Sequence, residues 1–389
     1  MAEILEKQAR PKPGVREQWA VRAVFFLGGF GTASWAPLVP YLKMRLGLAE
    51  DVLGLLLLCC GIGSLVTMPL SGAAAERFGC RRVLTVACTA FSLILLGLSV
   101  VDTLPVAAGL LLIFGTFMGC IDTTINIDAV MVEQAAGRRL MSGFHGLWSV
   151  GGFAGAGLFG IWVGKVGLTP LASTGIAVGL MLVLLVLCRR GLLPYGGGGG
   201  GQLIAIPRGI VAFIGVIAGI AFLVEGAVMD WSGVFLTTVR NMDLALAGTG
   251  FTIFSAAMLI MRLTGDALVG RLGQKAVVLG GSALAATGFL LLIYAPNLPL
   301  LYAGFFAIGV GSANVVPVFY SLLGRQDAMP LSTAVPAVST LGYLGVLMGP
   351  AAIGFLAHAV GLEDAFFFLA MLVVLEMAIA GYVYRTMKV

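Results

Sequence analysis

The 389 residues are 59% apolar and only 11% charged, with a mean hydropathy of +1.05 and a formal net charge of +5. A soluble domain carries roughly 25% charged residues, so a soluble enzyme or a basic nucleic-acid-binding domain is excluded and the chain reads as a bilayer protein. Six cysteines without a CxxC and only two histidines, His145 and His358, leave no spacing for a metal site or a Ser-His hydrolase.

In chain order, the first 18 residues mix Lys7, Arg10, Lys12 and Arg16 with Glu3, Glu6 and Glu17 and lack the apolar stretch of a cleavable signal; they are expected to be an untranslocated tail. Apolar runs bounded by glycine, proline and charge then predict twelve spanning helices. They fall at approximately 19–42, 50–75, 82–101, 105–132, 140–163, 168–190, 208–239, 245–270, 275–295, 298–323, 330–358 and 364–385. The stretch 191–207 holds no span and contains six consecutive glycines, Gly196 to Gly201, so it is expected to be a flexible linker. It would join a first six-helix bundle, 19–190, to a second, 208–389.

The halves resemble one another. Gly72-Ala-Ala-Ala-Glu76-Arg77-Phe78-Gly79-Cys80-Arg81 follows span two, and Asp266-Ala-Leu-Val-Gly270-Arg271-Leu272-Gly273-Gln274-Lys275 follows span eight; aligned on Arg77 and Arg271, they lie half the chain apart. Duplicated, very apolar chains of this kind rock one repeat against the other around a central site. Cations fall on one side: 17 of the 23 Lys/Arg lie in the tail, the even-numbered connections and the C-terminus. Both termini are therefore expected to be cytoplasmic. In the short loops, a glycine lets helices approach closely, and an acid with arginines can pair with helix ends. A cytoplasmic gate is thus expected at Gly72, Glu76, Arg77, Gly79, Arg81, Arg262, Asp266 and Arg271, with Arg262 and Asp266 spaced to pair along one helix face.

The first loop resembles the major facilitator superfamily signature Gly-x-x-x-Asp-Arg-x-Gly-Arg-(Arg/Lys), met at Gly72, Arg77, Gly79 and Arg81. It departs from the signature at Glu76, a longer acid, and at Cys80, where a basic residue is usual. The resemblance implies an all-α membrane protein, with twelve transmembrane helices in two pseudo-symmetric six-helix bundles. It also implies that spans one, four, seven and ten line a cavity. Three further stretches are similar to a bacterial inner-membrane branch near the fucose-permease-like transporters: Phe222 to Ser232, Gly119 to Asp128, and Phe144 to Ser149. That kinship implies a secondary transporter of the inner membrane, with proton-coupled uptake of a small polar solute such as a sugar.

Carboxylates in hydrocarbon are costly and survive where they face a cavity, pair, or take up a proton. Asp122 and Glu225 lie near mid-span, with Asp230 nearer the outer mouth. A carboxyl buried without a counter-charge is driven toward its protonated form, so Asp122, or Glu225 as its partner, is the expected proton carrier. Asn126, one turn from Asp122, would orient it. His145 is a second candidate on the proton path, or a packed histidine. Trp35, Trp148 and Trp231 lie inside spans and would serve as stacking platforms, with Asn314 setting orientation, or as ordinary packing. Glu376, in span twelve, reads as structural. The expected partners are a solute, protons and the bilayer, with no cofactor, metal or nucleic acid, and the chain acting as a monomer. A drug or metabolite exporter is the alternative, but span five, Ser149 to Gly155, lacks the Gly-Pro of drug antiporters. A non-transporting receptor or scaffold would not need central acids.

Overall fold

The structure, a computed structural model, describes residues 13–48, 50–198, 206–243, 246 and 248–388; the expected tail through residue 12 and residues 199–205 of the expected linker lie outside them. The regular structure described is helical, and twelve segments are long and apolar enough to cross a membrane. Spans one to six are Val15–Leu46, Leu55–Phe78, Cys80–Leu98, Leu104–Ala136, Met141–Gly164 and Pro170–Gly191. Spans seven to twelve are Ile210–Val239, Thr249–Leu272, Gln274–Tyr294, Leu298–Leu323, Leu331–Val360 and Leu362–Met387. Span one begins earlier than the apolar run suggests, because Glu17 accepts a hydrogen bond from the Gly14 N–H and caps the helix through Val15.

The repeat is visible in the packing. Span one lies against five and two against four in the first half, as seven lies against eleven and eight against ten in the second. Gly79 and Gly273, at matched places in the two loops, both hold positive φ, +80° and +83°, and each starts the following helix. The halves meet where span two crosses eleven and span five crosses eight. Apolar side chains form two buried clusters, the larger filling the first bundle and reaching into the second.

Small residues set these crossings, since lipid tails are as apolar as leucine and close backbone approach must supply the attraction. A Cβ on Gly29 would stand 2.0 Å from the Trp148 carbonyl oxygen, and one on Gly115 would stand 1.9 Å from that of Cys60. Proline breaks some helices. Span one divides into Val15–Trp35 and Leu38–Leu46 at Pro37, and span ten divides into Leu298–Ser312 and Val315–Leu323 just before Pro317.

Gly115→Ala is expected to push spans two and four apart and cost about 1–3 kcal/mol. Gly109→Ala, where a Cβ meets nothing within 4 Å, should be neutral or slightly stabilising. Thermal unfolding of the two variants in detergent checks the contrast.

Candidate functional site

A cavity of about 240 Å³ lies between the halves. Two carboxyls, an imidazole and a guanidinium line it: Asp122 of span four, Glu225 of seven, His145 of five and Arg262 of eight. Phe25, Trp148, Phe222 and Tyr343 give it aromatic walls, and Thr32 and Ser339 add hydroxyls. Span ten contributes no lining residue among those described. Most of its residues are buried, and Asn314 sits behind the wall, donating Nδ2 to the Met261 carbonyl at 3.3 Å.

The arrangement of charge begins with a proline. Pro317 has no N–H, so the carbonyl of Ala313, four residues earlier, loses its helical donor. Arg262 Nε donates to that oxygen at 3.2 Å. The same guanidinium donates Nη2 to Glu225 Oε1 at 2.8 Å, and Nη1 lies 3.5 Å from Ser149 Oγ of span five. Arg262 therefore ties spans eight, ten and seven and touches the first half. It was expected at the gate, paired with Asp266; in the structure it belongs to the cavity and pairs with Glu225, while Asp266 turns to span five. The side chains of this pair are only 11% and 19% exposed, which makes it a buried ion pair inside one cavity wall.

Asp122 is placed differently. Asn126 Nδ2 donates to the Asp122 backbone oxygen at 2.9 Å and lies 3.4 Å from Oδ1. Among the described residues no cation pairs with Asp122, which is partly exposed and faces the cavity. His145 lies with its ring 5.1 Å from that of Phe25 and 5.8 Å from that of Tyr320, and its Nε2 is buried without a hydrogen-bond partner. Trp148 packs edge-on to Phe25 at 6.5 Å.

Other expected residues are not brought together with these. Asp230 is exposed, Trp231 packs on Gly354 of span eleven, and Trp35 is buried against the Phe114 ring at 6.2 Å. Glu376 accepts a hydrogen bond from Ser282 at 2.9 Å, between spans twelve and nine. The cavity residues that sequence reasoning passed over, Phe25, Met68, Met118, Phe222 and Tyr343, carry a signal in spacing. Met118 lies four residues before Asp122 and Phe222 three before Glu225, one helical turn on the same face.

The cavity is shut on the side of the basic loops. Span five starts there with four backbone N–H groups that have no intrahelical partner. Glu133 accepts from Leu140 N at 2.7 Å and Met141 N at 2.8 Å; Asp266, from the other half, accepts from Ser142 N at 3.0 Å and Gly143 N at 2.8 Å. Two carboxylates thus satisfy the helix start and one of them bolts the halves together. Gln134 of span four also donates to the Gly324 carbonyl beyond span ten. Of the remaining gate residues, Gly72 sits at the crossing with span eleven, Glu76 accepts from Gly198 N, and Arg81 donates to the Leu192 and Arg190 carbonyls. Arg77 lies over the Phe78 ring and Arg271 is exposed.

Two six-helix halves around a central cavity, bolted at one end, have the architecture of a transporter of the alternating-access kind. No family model matches the sequence. The chain is 44% identical over 381 residues to an uncharacterised MFS-type transporter of Yersinia pestis, covering 97% of this chain and 98% of that one. Its fold is similar to the Escherichia coli fucose:proton symporter FucP, with a TM-score of 0.76 at 14% identity over 95% of this chain and 98% of that one. It is likewise similar to the proton:xylose symporter XylE, with a TM-score of 0.69 at 15% identity over 93% and 94%. The chain belongs to the major facilitator superfamily of transporters.

Removing one member of the buried pair strands the other charge. Arg262→Met is expected to cost about 3–5 kcal/mol, most of it recovered in the double variant Arg262→Met/Glu225→Met. Melting temperatures of both, beside wild type, check this.

Proposed function

We propose that the chain imports a small polar solute, such as a sugar, together with protons, and that Asp122 carries the proton. The observation behind this reading is the contrast within one cavity. Arg262 neutralises Glu225, whereas Asp122 has only a weakly placed amide beside it. An acid already paired to a fixed cation gains little from a proton, so the unpaired acid is the one that exchanges it as the cavity changes sides.

The walls suit an uncharged, hydroxylated solute. Aromatic faces stack on C–H surfaces, and Thr32 Oγ1 and His145 Nε2 are buried polar atoms of the wall without a hydrogen-bond partner, whereas Ser339 Oγ is already bonded to the Tyr320 hydroxyl. Because Arg262 is compensated by Glu225, the cavity presents no net positive charge to an anion. The names of FucP and XylE, a fucose:proton and a xylose symporter, agree with this class. The excess of Lys/Arg on the bolted side supports cytoplasmic termini in an inner membrane, with the bolted end facing the cytoplasm and the two bundles joined by the 191–207 strap.

Proteoliposomes given L-fucose or D-xylose as probes test the reading. With acid outside, wild type is expected to accumulate at least one of them, and Asp122→Asn to lose accumulation while keeping counterflow. Accumulation by Asp122→Asn at the wild-type level would refute the proton assignment. Neither binding nor flux of either sugar in wild type would refute the sugar class.

A further inference from the structure

The two copies of the basic loop close the same end by different means. In the repeat alignment Asp266 corresponds to Gly72. Asp266 reaches the start of span five, but Gly72 brings no side chain to the matching start of span eleven, where a Cβ would stand 1.7 Å from the Ser332 carbonyl oxygen. That oxygen also has no helical donor four residues on, because the residue there is Pro336. Beside it, where the second copy supplies a carboxylate, the structure places the segment Leu192–Gly198 that leaves span six.

This segment is built into the first half. Leu192 and Leu193 are buried, Arg81 N donates to the Leu193 carbonyl at 2.7 Å, and Cys80 N donates to that of Tyr195 at 3.3 Å. The Arg81 side chain holds the Leu192 carbonyl at 2.9 Å, and the Asp128 carboxylate accepts from Leu193 N at 3.2 Å. Glu76, the acid of the loop, accepts from Gly198 N at 2.6 Å, and among the described residues it forms no ion pair. Gly79 must be glycine here for two reasons: its φ is +80°, and a Cβ would meet the Pro194 carbonyl at 2.2 Å; its counterpart Gly273 has open space.

The far end of the segment touches the second half. The Ser332 hydroxyl donates to the Gly198 carbonyl. A Cβ on Gly197 would lie 2.9 Å from Ser332 N, 3.1 Å from Leu331 Cβ and 3.3 Å from Ile127 Cγ2 of span four, so Gly197 is pinched between the halves.

We infer that Leu192–Gly198 is a wedge of the transport cycle. Carried by the first half through Glu76, Arg81 and Asp128, it seats against the start of span eleven at Gly197 and Ser332 when the basic end is shut, and leaves that seat when the end opens. Glu76 and Ser332 are its positioning residues. The inference rests on the rocking of two halves and not on the proton or sugar reading.

A seat made by accepting an N–H requires an oxygen and not a charge. Glu76→Gln therefore keeps the wedge and Glu76→Ala loses it, whereas a charge latch at Glu76 would be lost in both. Spin labels at Ala135 and Asp327, exposed at the basic ends of the two halves, report the separation of those ends in the full chain in nanodiscs without solute. The labels are placed in a background with the partly exposed cysteines replaced. Glu76→Ala and Ser332→Ala should each raise the long-distance population by roughly fivefold, the weight of one hydrogen bond. Gly197→Val should raise it further, and Glu76→Gln should match wild type. Melting temperatures near that of wild type establish that the variants compared are folded. If Gly197→Val does not fold, Ser332→Ala and the two Glu76 variants decide. Unchanged distances in Ser332→Ala and Glu76→Ala, or identical opening in Glu76→Gln and Glu76→Ala, would overturn the wedge.

Discussion

Inside hydrocarbon, every polar group must find a partner within the protein. Here the missing N–H of Pro317 sets that requirement in motion. It leaves the Ala313 carbonyl open, Arg262 takes it, and the guanidinium is then fixed where Glu225 can neutralise it. With that pair closed, the cavity contains one acid, Asp122, whose charge nothing else compensates among the described residues. The polarity of the site thus follows from a break in span ten, although span ten itself lines none of the described cavity.

The same requirement shapes the shut end. A helix that starts at the membrane edge presents bare N–H groups, and span five meets this with one carboxylate from its own half and one from the other. At Asp266, backbone capping and inter-half closure are the same contacts, so opening the end frees the Ser142 and Gly143 amides while Glu133 keeps those of Leu140 and Met141. At the pseudo-equivalent corner, span eleven faces a glycine, and there the Gly198 carbonyl of the strap accepts the Ser332 hydroxyl in place of a carboxylate accepting backbone amides. An internal duplication has kept its geometry while its two corners have come to use different chemistry.

Much of this was legible in the sequence, because spans, repeat and one-sided cations depend on composition and local order. The twelve apolar runs correspond to twelve membrane-length helices, and Gly79 and Gly273 adopt the same conformation as their matched positions require. The site was legible in depth and not in direction. Asp230 lies five residues beyond Glu225, a rotation of about 140° off its face, so it is exposed while Phe222, within one turn, shares the cavity. Arg262 was misplaced for a related reason. Its spacing from Asp266 suits a pair along one helix, but partners on neighbouring helices, the Ala313 carbonyl and Glu225, outcompete a contact that would be worth only about 0.2–0.5 kcal/mol. Glu133 gave no local sign of its role, since the amides it accepts from become orphans only once span five begins at Met141.

The central claim, that Asp122 is the cavity acid that gains and loses a proton, is most directly tested by pH-difference infrared spectroscopy of the reconstituted protein, which requires no knowledge of the solute. The account predicts a titrating carboxyl C=O band in wild type that disappears in Asp122→Asn and persists in Glu225→Gln. A band unchanged in Asp122→Asn and abolished in Glu225→Gln would contradict it.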